Sequence, residues 1–386
     1  MRVTHLCLAC FYPDGFSYQE NMLPKFHKQQ GHEVQIIASL QNIDTKGRTV
    51  YYPQATSYLN EYGIPVTRLD YRSPVRLNKK LKRFRNLYET LEKSNCEVLF
   101  IHGCQFLDAD IVVKYLRKHP DIRVYVDNHA DLHNSAMNFV SKNILHRILW
   151  RRCARMLDPF VTKWYGVLPA RVDFLHDVYG ISKDRIELLV MGADDERVKA
   201  ALQPAVRQTI RKQYGIREDD FLIITGGKIG HGKRRVIDLM DVVNHLPRDD
   251  VKLIVFGSVI PELAPLVQER CSDKVQYIGW VESAESSNYL AAADLAVYPG
   301  LHSVLWEQTV ALGIPVICTR FPGMEHIDLG GNVRFIGAEG SEEIDRAIKD
   351  VLDGDRYLEM KRIAREKGIK TFSYSEIAAR SIREEA

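Results

Sequence analysis

The chain has 386 residues, 45% of them apolar and 27% charged, with 53 Lys+Arg against 50 Asp+Glu and a formal net charge of +3. These proportions exclude a disordered, collagen-like or disulfide-scaffold chain, and the near balance of charge excludes a uniformly basic nucleic-acid binder. The length exceeds what one core of ordinary size accommodates and points to two domains.

The N-terminal run, Met1 to Phe11, is short, contains His5 and leads into Pro13-Asp14-Gly15 with no small-residue cleavage site. It reads as a first strand, Val3–Ala9, rather than a signal peptide, and no apolar stretch is long enough to span a bilayer. The seven cysteines form no paired framework and suit a reducing, cytoplasmic setting. Cys7 and Cys10 have redox-motif spacing but sit in an apolar run, so both read as buried strand residues.

A helix Gln19–Gln30 follows, then strands Glu33–Ala38, Pro65–Leu69, Val98–Ile101 and Val124–Val126, with helices Leu77–Glu92 and Ala109–Lys118 between them. Continuous apolar runs alternating with helical periodicity describe a parallel sheet covered on both faces. The first loop carries Gly15, either in a plain Pro-Asp-Gly turn or facing a ligand. Arg72, Arg76, Lys79, Lys80, Lys82, Arg83 and Arg85 form a basic run, with Leu77, Leu81, Phe84, Tyr88 and Leu91 spaced as one helix face. Arg147, Trp150, Arg151, Arg152 and Arg155 make a second such segment. Each reads as a helix packed on the sheet with solvated charges, or as one lying on an anionic surface. After Val126 come His129, Asp131 and His133, whose alternation puts them on one face of an extended segment, a pattern open to a metal or to acid–base work by Asp131.

A second series begins near residue 205. Its strands are Phe221–Thr225, Lys252–Phe256, Val275–Ile278, Leu295–Tyr298 and Val316–Cys318, and its helices centre on Val236–Asn244, Pro261–Glu269, Ser283–Ala293 and Leu305–Leu312. The chain is therefore α/β, with two doubly wound domains, and ligands are expected at the carboxyl ends of strands. There, Gly226-Gly227-Lys228-Ile229-Gly230-His231-Gly232-Lys233 combines backbone N–H groups free to approach an anion with two lysines able to clamp a diphosphate. It is neither a Walker loop nor a GxGxxG fingerprint, and the alternative is a Gly-rich turn with solvated lysines. Glu307, early in an apolar helix, can accept two hydroxyls such as a ribose diol, or serve as a helix-start carboxylate alone.

The order Gly227-Lys228…Lys233, Val255-Phe256-Gly257, Ile278-Gly279-Trp280-Val281, Ala293-Asp294 and Glu307…Gly313-Ile314-Pro315 resembles the donor domain of GT-B glycosyltransferases, in particular the retaining family 4. The tail Phe372-Ser373-Tyr374-Ser375-Glu376-Ile377-Ala378 is similar to the family's last helix. The resemblance implies a GT-B fold of two Rossmann-like domains facing each other across a cleft. Residues 1–195 would be the acceptor side, 196–370 the donor side, and 371–386 a helix crossing back to the first domain. It implies that Lys228 and Lys233 bind the donor diphosphate and stabilise the leaving group, that Glu307 holds the ribose, and that Gly279, Trp280 and Val281 lie beside the base. Gly15 would face the phosphates, and His129 would reach the transferred sugar or acceptor. No cofactor or catalytic metal is implied beyond the nucleotide-sugar co-substrate. The family carries another Glu eight positions before the ribose-binding one. Here Pro299 holds that register, leaving His302 and Ser303 as the loop's polar groups, with His302 either a substitute sugar contact or an exposed loop residue.

The expected activity is transfer of a sugar from a nucleotide diphosphate sugar to a hydroxyl of a glycan or lipid-linked acceptor, with retention, in polysaccharide or glycoconjugate assembly. A nucleotide-sugar epimerase, a non-catalytic nucleotide-sugar binder and, last, a nicotinamide oxidoreductase are the rivals. Residues 1–190 carry 27 Lys+Arg against 19 Asp+Glu, so the basic excess lies in the expected acceptor half, as contact with the inner face of an anionic membrane favours.

Overall fold

The computed structural model describes residues 1–10, 12–44, 48–338, 340–352 and 355–383. Phe11 and the end of the expected last helix, 384–386, fall outside them. The chain divides into two compact units, one holding the described residues from Met1 to Met191 and from Ser375 on, the other Gly192–Tyr374.

The first unit is built on an eight-stranded sheet. Its order from one edge is Ile186–Leu188, Lys163–Gly166, Arg123–Asn128, Val98–His102, Arg2–Cys7, Glu33–Ser39, Pro65–Leu69, Thr56–Leu59. All neighbours run parallel except the last pair. The central strands are buried along nearly their whole length, which is why they read as unbroken apolar runs. The edge strands Thr56–Leu59 and Ile186–Leu188 are short and part-exposed; no apolar run announces the first, while the apolar run Leu188–Val190 predicts a strand that the structure places two residues earlier.

The basic segment departs from expectation. It forms two helices, Val75–Leu81 and Leu87–Ser94, because Lys82 and Asn86 both take left-handed backbone at φ 54° and 55°. The break turns Phe84 into the core and leaves Leu77 exposed, so the expected single stripe does not exist. Cys7 is buried on the first strand, but Cys10 lies beyond the strand end and is half-buried. All seven cysteines are unpaired, and burial pushes the Cys7 and Cys10 thiols well up, against a redox pair. Among the described residues no helix is long and apolar enough to cross a membrane.

The second unit has a six-stranded, wholly parallel sheet ordered Val275–Tyr277, Val251–Phe256, Phe221–Gly226, Leu295–Tyr298, Val316–Thr319, Val333–Ile336. Asp294, at the foot of its strand, is buried and accepts from Arg207 Nη2 at 2.7 Å, Arg211 Nη1 at 3.2 Å and the Leu222 backbone N–H at 2.9 Å. It thereby ties the helix Pro204–Gln213 to two adjacent strands. Asp294→Ala would leave Arg211 buried without its carboxylate, a loss of about 3–5 kcal/mol. Urea unfolding should show that loss, and an unchanged midpoint would remove Asp294 from this role.

Candidate functional site

In the second unit the strand order reverses between Phe221–Gly226 and Leu295–Tyr298, so the loops after these two strands leave to opposite sides and frame a crevice. The loops are tied together, since the Leu301 N–H donates to the Gly232 carbonyl at 3.0 Å. Gly227 has φ 108°, and a Cβ there would stand 2.8 Å from Lys233 Nζ, so Lys233 folds back over its own loop. Gly257, at φ 116°, abuts the same turn; a Cβ on it would lie 2.0 Å from the Gly227 carbonyl oxygen. Its N–H donates to the Gly279 carbonyl at 2.6 Å, which draws the Gly279-Trp280-Val281 turn to this loop. Trp280 is exposed beside it.

The two lysines that the sequence pairs have different environments. Lys228 is exposed. Lys233 is half-buried, and desolvation alone lowers its ammonium to about 8, with no carboxylate among the described residues near enough to offset it. A cation held out of water and left unpaired is a site for an anion.

Glu307 departs from the open ribose acceptor that the sequence suggests. It is wholly buried, and its Oε1 accepts from His302 Nε2 at 2.9 Å and from His326 Nε2 at 2.8 Å. His302 is a buried partner of this carboxylate rather than an exposed loop residue, its side chain only 5% accessible. Burial opposes charge on Glu307, yet the two imidazoles outweigh it and hold the carboxyl well below the usual carboxylate range. His326, nineteen residues on, carries no sequence signal; only the turn Glu325–Ile327 brings it here. Ser303 Oγ, Trp306 Nε1, Glu307 Oε2 and His326 Nδ1 are buried without a hydrogen-bond partner among the described residues. Buried polar atoms are ordinarily paired, so four orphans around one helix start mark where a polar ligand completes the bonding.

In the first unit Gly15 is exposed, at φ 76°, with open space where a Cβ would point. Its neighbour Asp14 anchors the turn, taking bonds from Arg68, Tyr52, Tyr58 and Asn42. His129 stands beyond the strand Arg123–Asn128, its Nε2 3.2 Å from Asp127 Oδ2 and 3.8 Å from Glu20 Oε1. Burial disfavours the imidazolium, but these two carboxylates prevail and raise the His129 pKa. Cys10 joins them, its Sγ, a Glu20 carboxylate oxygen and a His129 ring nitrogen lying within 4.8 Å of one another. The expected face of His129, Asp131 and His133 does not form. Asp131 is buried against Arg171 Nε at 2.9 Å and accepts the N–H groups of His133 and Asn134, while His133 is exposed. Sequence reasoning missed Asp127, two residues before His129, and also Glu20 and His102, which only the packing of other elements brings to that pair.

Glu307 carries the pH test of this geometry. Its folded-state pKa is depressed, so the triad stabilises the fold above the unfolded value of about 4.3 and loses that contribution as pH falls through the acid range. Between about pH 5 and pH 3, Tm of the wild type should fall more steeply than that of Glu307→Gln; parallel slopes would refute the ion-paired triad.

Residues 206–371 match the family model described as "Glycosyl transferases group 1". Mannosylfructose-phosphate synthase of Agrobacterium fabrum is 22% identical over 264 residues, which is 64% of this chain. The chain spans 56% of the length of that curated relative. Among solved structures, Anabaena HepE in complex with UDP superposes with a TM-score of 0.68 at 14% identity, covering 98% of each chain. Sucrose-phosphate synthase from Thermosynechococcus elongatus gives 0.67 at 15% identity over 98% of this chain and 97% of that one. The fold is that of the GT-B glycosyltransferases.

Proposed function

We propose that this chain, whose residues 206–371 belong to the glycosyl transferases group 1 family, moves a sugar from a nucleoside diphosphate sugar to a hydroxyl of a glycan or lipid-linked acceptor. The observation that carries this reading is Lys233, an unpaired, desolvated ammonium folded over Gly227 at the carboxyl end of a switch-point strand. Negative charge grows on the departing diphosphate during transfer, and a fixed cation in a dry site stabilises it most. HepE binds UDP on the same fold, which supports a nucleoside diphosphate as the ligand. The orphaned polar atoms of Ser303, Trp306, Glu307 and His326 supply the groups for the sugar or ribose hydroxyls. Lys228, exposed on the same loop, adds long-range attraction. Retention of configuration and the absence of a metal requirement belong to the reading as carried by the family resemblance. In the first unit, His129, its pKa raised by Asp127 and Glu20, offers an imidazole to sugar or acceptor oxygens.

The acceptor class follows from a surface that the sequence located only in part. Met137, Phe139, Val140, Ile144 and Ile148 are all exposed, Phe139 to 75%. Arg147, Arg152 and Arg155 are exposed in the same segment. Contiguous apolar side chains with cations suit an anionic lipid surface and favour a lipid-linked acceptor.

Binding, calorimetry and flotation test these readings. Lys233→Met should weaken UDP binding by roughly tenfold or more, the scale of a lost charge-assisted hydrogen bond, while the ligand-free protein becomes no less stable because a desolvated charge is gone. In wild type, diphosphate binding should raise the lowered Lys233 pKa, so calorimetry in buffers of different ionisation enthalpy should detect proton uptake near pH 8 that Lys233→Met lacks. Equal UDP affinity in the variant would remove Lys233 from the site. Phe139→Asp combined with Ile148→Asp should abolish flotation with phosphatidylglycerol vesicles and leave UDP binding intact; undiminished flotation would reject this surface.

A further inference from the structure

A line of buried imidazoles crosses the first unit. His5, His27 and His102 are each fully buried. His27 Nε2 lies 3.0 Å from the Ala378 carbonyl oxygen and 3.0 Å from Ser381 Oγ, both on the helix Tyr374–Ser381. His27 Nδ1 meets His5 Nε2 at 3.0 Å, and His5 Nδ1 meets His102 Nε2 at 3.0 Å. His102 Nδ1 ends the line on Asp127 Oδ2 at 2.8 Å. The same oxygen stands 3.2 Å from His129 Nε2.

The protons can be counted. A carbonyl oxygen closes one end and a carboxylate the other, and both only accept. The Ser381 hydroxyl is 2.9 Å from the Ala378 carbonyl and donates to it, leaving His27 Nε2–H to donate to the same carbonyl. His27 Nδ1 then accepts from His5 Nε2–H, and His5 Nδ1 accepts from His102 Nε2–H. Asp127 demands a further proton from His102 Nδ1. Four contacts need four protons, and three neutral imidazoles hold three. The fourth makes one ring an imidazolium. Desolvation keeps His5 and His27 neutral, the latter lowered to about 3, and only His102 touches a carboxylate.

We infer that His102 is a positioning residue that carries two protons, ion-pairs with Asp127 and thereby aims and moderates the carboxylate facing His129, its proton demanded by the carbonyl of Ala378 at the far end of the imidazole line. His102 faces His5 and Asp127. Asp127 also accepts the Gly103 N–H through Oδ1. The charged and titratable groups facing His129 are Asp127, Glu20, Cys10 and Arg171. Without His102⁺ the Asp127 charge would act on His129 unopposed. The inference concerns proton positions and stands whether or not the transfer reading holds.

The test is nitrogen NMR on the full chain labelled with ¹⁵N-histidine, which distinguishes neutral tautomers from the imidazolium ring by ring. At pH 7 His102 should show both nitrogens protonated, and His5 and His27 should each carry the proton on Nε2. Nδ1–H on all three rings, with a neutral His102, overturns the inference. In His102→Gln, an amide N–H can still reach Asp127 but brings no charge, so the His129 titration midpoint should move up; an unmoved midpoint in a folded variant also overturns it. Ser381→Ala keeps the carbonyl and should leave the His27 and His5 tautomers as in wild type. A switch to Nδ1–H in that variant would mean the hydroxyl sets the pattern and the inference is wrong. If His102→Gln does not fold, the wild-type spectrum alone decides.

Discussion

A carboxylate taken out of water must be solvated by the protein, and both units of this chain solve that problem with imidazole. Asp127 lies between His102 and His129, and Glu307 between His302 and His326. Both carboxylates are wholly buried, and both are held in the ionised form because their histidines outweigh the burial penalty. Asp127 lies at the carboxyl end of its parallel strand and Glu307 in the helix after the strand Leu295–Tyr298, at the strand ends where loop freedom concentrates chemistry. The geometry around them follows from keeping those charges satisfied.

The second unit adds the opposite case. Lys233 is partly withdrawn from water with no counter-charge, and the abutting glycines 227 and 257 keep the loop close enough for that to happen. A carboxylate paired through one oxygen only and a cation without a counter-charge among the described residues give the unit a built-in preference for an anionic ligand with hydroxyl groups. Neither feature strengthens the ligand-free fold as much as an apolar replacement could, which is the usual mark of a site retained for binding.

Much of the architecture was legible from residues alone. Val98–His102 and Phe221–Gly226 read as central strands because burial on both faces leaves no polar alternation. The glycine loop read as an anion site because strand, glycines and lysines lie consecutively in the chain. The edge strand Thr56–Leu59 and the internal strand Lys163–Gly166 were not read, since four residues are too few to show a strand period. Helical spacing predicts one helix across Lys82 and Asn86, because the spacing persists through left-handed residues that no glycine announces.

The sequence by itself determined the α/β alternation, the two-unit plan, the glycine–lysine loop and the candidacy of His129, Glu307 and His302, each a property of residues near in the chain. Only the tertiary structure decided which charges those residues meet. Glu20, His102 and Asp127 come to one point because sheet order sets the strands Arg2–Cys7, Val98–His102 and Arg123–Asn128 side by side, and His326 reaches Glu307 from beyond the next strand. Coulomb interaction and desolvation depend on distance through space, which spacing along a chain does not encode.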